Sequence, residues 1–281
     1  MTGVQTCALP IFIKLYEKGL AYKKEMPINW CPSCKVGLAN EEVVNGTCER
    51  CGSPTVRRRI SQWVVKITEY ADRLIDGLEH TDFIEKVKAS QINWIGRSEG
   101  ARVTFKLVGI DEELEVFTTR PDTLWGCTFM VLAPEHPYVE KYCLDQPGVK
   151  EYVETSRGKS DLERQEVSRE KTGVFSGLMA INPATGKEVP VWISDFVLLS
   201  YGTGAIMSVP SGDQRDWDFA TKFGLEILPI TQPENGWDFS KGAYAEKDGV
   251  MINSGPINGL PVVEAIPAAL AWLKERNLGE A

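Results

Sequence analysis

Apolar and polar residues alternate with two distinct periods along this chain. Near the start, Phe12, Leu15, Tyr16 and Leu20 fall at helical spacing, and Gly19 sits where such a helix ends. The pattern predicts a second amphipathic helix over 68–79, with Thr68 as its cap and Ile67, Tyr70, Ala71, Leu74 and Leu78 as its buried stripe. The passage from Ile92 to Gly100 closes this helix-rich stretch. Beyond it the period shortens to two, predicting strands at 102–108, 113–119, 128–133, 189–193, 203–209 and 226–230. The more polar stretch 134–170 carries a helical pattern around 136–143. Further helices are predicted over 214–223 and over about 262–276, the last capped by Gly279, with Pro267 marking a kink or a later start. No internal repeat or low-complexity segment interrupts this order.

Composition narrows the picture. An apolar share of 43% and a charged share of 25% are those of an ordinary globular chain, and no apolar run is long enough to span a bilayer. The net charge of -8 argues against a wide basic surface gripping nucleic acid without specificity. The N-terminus lacks the features of a secretory signal, so the seven cysteines point to metal or free thiols before disulfides. Residues 1–11 share no pattern with the rest of the chain. They resemble a translated sequencing-adaptor fragment, an artefactual leader, and are set aside together with Cys7.

Four cysteines stand in two C-x-x-C knuckles, Cys31/Cys34 and Cys48/Cys51, with 13 residues between the pairs. Four thiolates close a tetrahedral zinc shell, and two-residue spacing lets each pair grip one ion from a tight turn. Gly37, Gly52 and Asn45-Gly46 supply the turns. Free cysteines or a redox dithiol are the alternatives. A closed four-thiolate site leaves no open position, which favours a structural ion. Cys127 and Cys143 lie in apolar surroundings and read as inert core thiols.

Two polar clusters carry candidate chemistry. Thr118-Thr119-Arg120-Pro121-Asp122-Thr123 follows the strand pattern of 113–119, and Pro121 stops the strand there. Three hydroxyls, a guanidinium and a carboxylate at a rigid edge can hold a polar substrate; a plain polar turn is the bland alternative. The second cluster opens with small residues, Gly202-Thr203-Gly204-Ala205, that allow close approach. It continues through Met207 and Val209 to Asp213, Arg215 and Asp216 at a strand-to-helix junction. Those carboxylates and the arginine can bind an ammonium group and orient water. Alternatively, Asp213 simply caps the next helix. There is no P-loop, dinucleotide fingerprint or nucleotide-binding His-x-Gly-His, and neither histidine lies within these clusters in sequence. Any hydrolysis would rest on positioned water and polar stabilisation.

Taken together, these stretches resemble the central part of a bacterial leucyl-tRNA synthetase. Asn29 to Cys34 and Leu38 to Val43 resemble its zinc-binding insert. Gln91 to Gly100 resembles the passage into its editing domain. Thr118 to Thr123 matches its threonine-rich editing motif, and Tyr201 to Val209 with Asp213, Arg215 and Asp216 matches the second. The related isoleucyl and valyl enzymes differ in these segments.

The resemblance implies an α+β chain in three parts: the leader 1–11, a zinc-ribbon-like module with a helical connection over 12–97, and a β-barrel-like editing domain with peripheral helices over 98–281. It implies that Thr118 and Thr119 contact the substrate near its ester and help hold water, and that Asp216 binds the α-ammonium. Arg120, with Asp122, would place the 3′-terminal adenosine of tRNA(Leu). Thr123 would exclude leucine from a side-chain pocket lined by Met207 and Val209. Asp213 and Arg215 would support Asp216, and Cys31, Cys34, Cys48 and Cys51 would hold structural Zn2+. ATP and Mg2+ would serve only the full-length parent, whose synthetic signatures this stretch lacks. The remaining expectations are a monomer in the cytoplasm, with no membrane contact, meeting leucine and near-cognate amino acids. The family's usual histidine before the first aspartate of the second motif is replaced by Gly212.

Overall fold

A computed structural model describes residues 3–44, 46–98, 100–157, 159, 164, 171–199, 203–234 and 236–280. The chain divides into two compact units, Met1–Ser98 and Glu99–Ala281.

The first unit opens with helix α1, Gly3–Glu17, which begins upstream of the helix read from Phe12 and runs through Pro10. Gly19, at φ +68°, turns the chain into β1, Ala21–Cys31. β1 pairs antiparallel with β2, Val36–Leu38, and along most of its length with β5, Val56–Val65. Between them the short strands β3, Val43–Val44, and β4, Thr47–Cys48, form a hairpin whose predicted turn residue Asn45 lies outside the described residues.

The amphipathic helix expected over 68–79 is broken. A 3-10 turn at Ile67–Tyr70, helix α2 at Ala71–Asp76 and a second 3-10 turn at Gly77–His80 replace it, with no side-chain cap from Thr68. Of its proposed stripe only Leu78 is buried; Ile67 is 81% exposed and Leu74 57%. The stripe has helical spacing, but Ile67, Tyr70 and Leu74 are left exposed. Helix α3, Glu85–Ile95, ends at Gly96 in the left-handed conformation, a backbone state that glycine adopts without penalty.

The second unit is organised by a seven-stranded sheet. Its strands are β6, Ala101–Leu107; β7, Glu113–Thr118; β8, Phe129–Leu132; β9, Val174–Ile181; β10, Glu188–Ile193; β11, Ala205–Ser208; and β14, Gly279–Glu280. Across the sheet the order is β11-β8-β10-β9-β6-β14, with β7 also paired to β6. Every pair is antiparallel except β10 with β8. β11 lies against β7, so the sheet curls into a nearly closed barrel. The expected α+β, barrel-like architecture is therefore what the chain adopts.

Alternation builds the barrel's interior. In β6, Ala101, Val103, Phe105 and Leu107 point inward and are buried, facing Leu114 and Val116 of β7. Helices cover the outside: α4, Val149–Arg157, after a wide helical turn at Val139–Cys143; α5, Gln214–Phe223; and α6, Val262–Glu275. Phe219 of α5 stacks on Phe129 of β8 at 5.3 Å, which fixes α5 against the sheet.

The structure departs locally from the sequence expectations. β9 is a strand that the alternation does not predict. The strand expected at 226–230 is instead the two-residue β12, Thr231–Gln232, paired with β13, Val250–Met251. Gly279 does not cap the last helix; it pairs with Val103, where a Cβ would stand 2.3 Å from the Arg102 carbonyl. Pro267 is accommodated inside α6, which runs on to Glu275.

Candidate functional site

β7 delivers the first polar cluster. Its last residue, Thr118, pairs with Ala101, and the neighbouring Gly100 lies so close that a Cβ there would stand 2.2 Å from the Thr118 carbonyl oxygen. The Thr118 hydroxyl accepts the Arg120 N–H at 3.0 Å, which leaves its own proton free to donate. Thr119 is exposed. The chain then enters a 3-10 turn over Pro121–Gly126, every residue of which is buried. Arg120 grips Asp122 through Nε and Nη2, at 3.0 and 2.8 Å, and Asp122 is wholly buried. Thr123, 5% exposed, donates its hydroxyl to the Arg120 carbonyl at 2.8 Å. With that hydroxyl tied to backbone, the methyl is what Thr123 can offer a neighbour.

The turn is held from behind. Asn182, 1% exposed, donates to the carbonyls of Leu124 and Cys127 at 2.9 and 3.2 Å. Trp125 packs against Trp272 of α6, with ring centroids 5.0 Å apart.

The second cluster begins at β11, which pairs with β8 so that Met207 faces Met130. Tyr201 and Gly202 lie outside the described residues. Gly204 has φ +75°, and a Cβ there would stand 2.5 Å from Leu199 Cδ1 and 3.5 Å from the His136 ring. After β11, Asp213 caps α5: its Oδ1 accepts the Arg215 and Asp216 N–H groups, at 2.8 and 3.3 Å. Arg215 also pairs with Asp213 at 3.4 Å. The capping role considered from sequence is thus what Asp213 performs locally.

Asp216 is the unusual group. It is 6% exposed, and its Oδ2 accepts the Val209 N–H at 2.7 Å. Burial pushes its carboxyl up to about 7, and the charge of Asp213 adds to this; the bond from Val209, the Ser208 hydroxyl and Arg215 pull the other way. The Ser208 hydroxyl is buried beside the carboxylate but has no partner at hydrogen-bond geometry. A buried acid near neutrality, in no ion pair among the described residues, is suited to receive a ligand's positive charge.

The two clusters are joined through the barrel. β11 lies against β7, and the first turn runs through Cys127 into β8, the partner of β11. The Thr128 N–H donates to the Ser208 carbonyl at 3.2 Å. Cys127 is a buried thiol pushed up to about 12, chiefly by burial and in part by the charge of Asp216. Cys143 is likewise buried and raised to about 11 by burial, so both are the inert core thiols expected.

His136 stands far before Gly204 in sequence, and nothing in the chain's pattern links it to this cluster. Its Nδ1 accepts the Tyr138 N–H at 3.1 Å, and burial holds the imidazole below its ordinary value. Asn182 and His136 carry no local sequence signal; Ser208 lies inside the second cluster but is not singled out within it. Gly212 has ordinary space around it. A Cβ there would find Val209 Cγ1 as its nearest neighbour, at 3.8 Å, so the loop does not itself require glycine.

Surface concavities of about 520 and 430 Å³ lie elsewhere, around Lys106, Glu113 and Ile181. Neither contains a residue singled out from sequence, and the site is placed by its chemistry rather than by volume.

In the first unit Cys31, Cys34, Cys48 and Cys51 bring their sulfurs within 4.8 Å of one another. A zinc–sulfur distance of about 2.3 Å implies a tetrahedron with edges of about 3.8 Å, so the set fits one metal ion. The Cys34 N–H donates to Cys31 Sγ at 3.3 Å, and the Gly52 N–H closes the second knuckle onto the Cys48 carbonyl at 2.8 Å.

Comparison with known proteins places the chain among class I tRNA synthetases that carry an editing domain. Residues 2–99 match the family of class I tRNA synthetases (I, L, M and V), and residues 92–274 match the leucyl-tRNA synthetase editing domain. The chain belongs to the leucyl-tRNA synthetase family. It is 54% identical over 275 residues to the leucine–tRNA ligase of Alkaliphilus oremlandii (strain OhILAs), covering 96% of this chain and 34% of that protein. It is 51% identical over 273 residues to that of Elusimicrobium minutum (strain Pei191), covering 96% and 32%. The crystal structure of the ternary complex of Agrobacterium radiobacter K84 agnB2 LeuRS-tRNA-LeuAMS matches with a TM-score of 0.71 and 36% identity, over 96% of this chain and 31% of that one. The chain thus spans about a third of the length of the relatives it matches.

Proposed function

We propose that the barrel unit hydrolyses tRNA(Leu) carrying the wrong amino acid, such as norvaline or isoleucine. The observation that carries this reading is the buried Asp216 carboxylate, beside an unpartnered Ser208 hydroxyl on the strand that lies against β7. Asp216 receives the substrate's α-ammonium, and Asp213 and Arg215 hold the helix start that carries it. Thr118 and Thr119 donate hydroxyl protons to the ester and to water. Water adds to the ester carbonyl carbon, the oxyanion is met by those donors, and the ribose oxygen leaves with a proton. Free amino acid and intact tRNA result. Arg120, braced by Asp122, places the terminal adenosine.

Thr123, with Met207 and Val209, shapes the side-chain pocket and keeps leucine out. A first binding site separates side chains differing by one methylene only about 10–200-fold, so a second site that excludes the right product supplies the remainder.

The four cysteines are assigned Zn2+ in a closed, structural site, which braces the knuckles and takes no part in hydrolysis. ATP- and Mg2+-dependent attachment of leucine is assigned to a full-length parent, and the cytoplasm is its proposed compartment, as a monomer. Among the described residues no helix is long and apolar enough to cross a membrane.

The test is deacylation of norvalyl- and leucyl-tRNA(Leu) by this chain. Thr123→Ala should release leucine from leucyl-tRNA at a rate approaching that on norvalyl-tRNA. Asp216→Ala should lose about 100-fold or more on norvalyl-tRNA with its circular dichroism unchanged. Undiminished hydrolysis in Asp216→Ala would leave the barrel as no more than a platform that positions tRNA.

A further inference from the structure

The antiparallel β1–β5 ribbon of the first unit has a surface that the editing reaction does not use. Its register places Arg57 opposite Asn29, Arg59 opposite Pro27, Ser61 opposite Glu25 and Trp63 opposite Lys23. Directly paired residues share a face of the ribbon, and so do residues two apart along one strand. Arg57, Arg59, Trp63 and Lys23 therefore share one face, where Glu25 is the one acidic residue of the two strands. Arg57, Arg59 and Lys23 are exposed, and Trp63 is 49% exposed.

At the far end of this row the aromatic rings gather. Trp63 is met edge-on by Phe12 at 5.1 Å and by Tyr16 at 5.6 Å, and the Lys23 ammonium stands 5.3 Å from its ring centroid. The packing from α1 fixes the indole without covering it. In a chain of net charge -8, a row of three cations running into a braced, half-open indole is a local exception.

We infer that this face binds the single-stranded end of an RNA. Arginines two apart on a strand are spaced roughly 6.6 Å apart. That spacing is comparable with the step between neighbouring phosphates of an extended strand. Arg57 and Arg59 track the backbone phosphates, and Trp63 offers a sequence-tolerant stacking surface for a base, with Lys23 adding charge beside it. The class of partner rests on the tRNA substrate proposed above, but the residues are those of the first unit and none belongs to the barrel's polar turns. It gives the first unit a role of its own in holding the RNA end.

The experiment uses the whole chain and a fluorescein-labelled RNA minihelix with a four-nucleotide 3′ overhang, titrated by fluorescence anisotropy over a salt series. Arg57→Gln with Arg59→Gln should weaken binding and lower the slope of log K against log salt by about 2, one unit for each phosphate no longer neutralised. Trp63→Leu, which keeps an apolar group against Phe12 and Tyr16, should weaken binding roughly 5- to 100-fold. Arg59→Lys should retain the slope. Unchanged affinity and slope in the double variant, with its fold intact by circular dichroism, would overturn the inference. Deacylation measured at saturating RNA reads the barrel separately. Loss of hydrolysis with ribbon-dependent binding preserved would sink the editing assignment alone, and hydrolysis with ribbon-independent binding would sink the ribbon alone.

Discussion

Asp216 couples stability to function through one proton. In the unfolded chain its carboxyl titrates near the ordinary value of 3.8, whereas the fold raises it to about 7, chiefly by burial. The folded state therefore binds the proton more tightly. The stability this confers is complete below about pH 4 and is lost as pH rises through 7. Asp216→Asn keeps an acceptor for the Val209 N–H but removes the buried ionisation. Its melting temperature should match wild type near pH 4 and exceed it increasingly up to pH 8, while hydrolysis of mischarged tRNA is lost. Thermal melts at four pH values check this, and a constant difference across that range would show that the carboxyl ionises alike in the folded and unfolded chain, so that burial does not raise it. On the proposed reading, a bound ammonium would supply a positive charge and draw the carboxyl back down, offsetting that cost when substrate is present.

At the scale of elements, the site depends on a turn that cannot stand alone. The Pro121–Gly126 turn has Arg120 and Thr123 closing its start, but its end is closed by Asn182, which comes from just beyond β9. Asn182→Leu removes both bonds and leaves the buried carbonyls of Leu124 and Cys127 without those donors. It should destabilise the barrel by about 2–4 kcal/mol, read as a lower denaturant midpoint at unchanged slope. It should also let leucyl-tRNA be hydrolysed, because Thr123 sits on the loosened turn. A variant with the expected loss of stability but full rejection of leucyl-tRNA would detach Asn182 from specificity.

This dependence also explains how much of the site is legible in the sequence. Alternation locates β6, β7, β8, β10 and β11 to within about two residues, and the residues at Thr118–Thr123 and Met207–Asp216 stand out by composition. Asn182 and His136 do not, because their importance comes from partners far along the chain. β9 escapes the pattern because Gly177 and the mixed run Val174–Ile181 blur its period. The stripe from Ile67 to Leu78 misleads for the opposite reason: its period is helical, but period alone does not supply a surface to pack against.

For the molecule as a whole, the two units differ in what holds them together. The barrel unit has a continuous apolar core reaching from Ala101 to Leu273. Around the knuckles the buried apolar cluster consists of Cys31, Leu38 and Cys48, with Val36 and Val43 packed against it, so two of its three buried members belong to the candidate metal-binding set. So small a cluster offers little against the entropy of ordering the surrounding loops, and a metal ion held by the four sulfurs would supply the cross-link that the proposed zinc site calls for. Metal analysis should find about one zinc per chain. Removing it with a chelator should then expose the amides of β2, β3 and β4 to hydrogen exchange, leaving those of β6, β7 and β8 protected. Hydrolysis of an unpaired substrate end by the barrel should survive chelation, while RNA affinity that runs through the β1–β5 ribbon should fall as β1 loses its anchor at Cys31. Equal protection of β2–β4 before and after chelation would mean that the knuckles fold on their apolar contacts alone and that the four sulfurs are not a structural metal site.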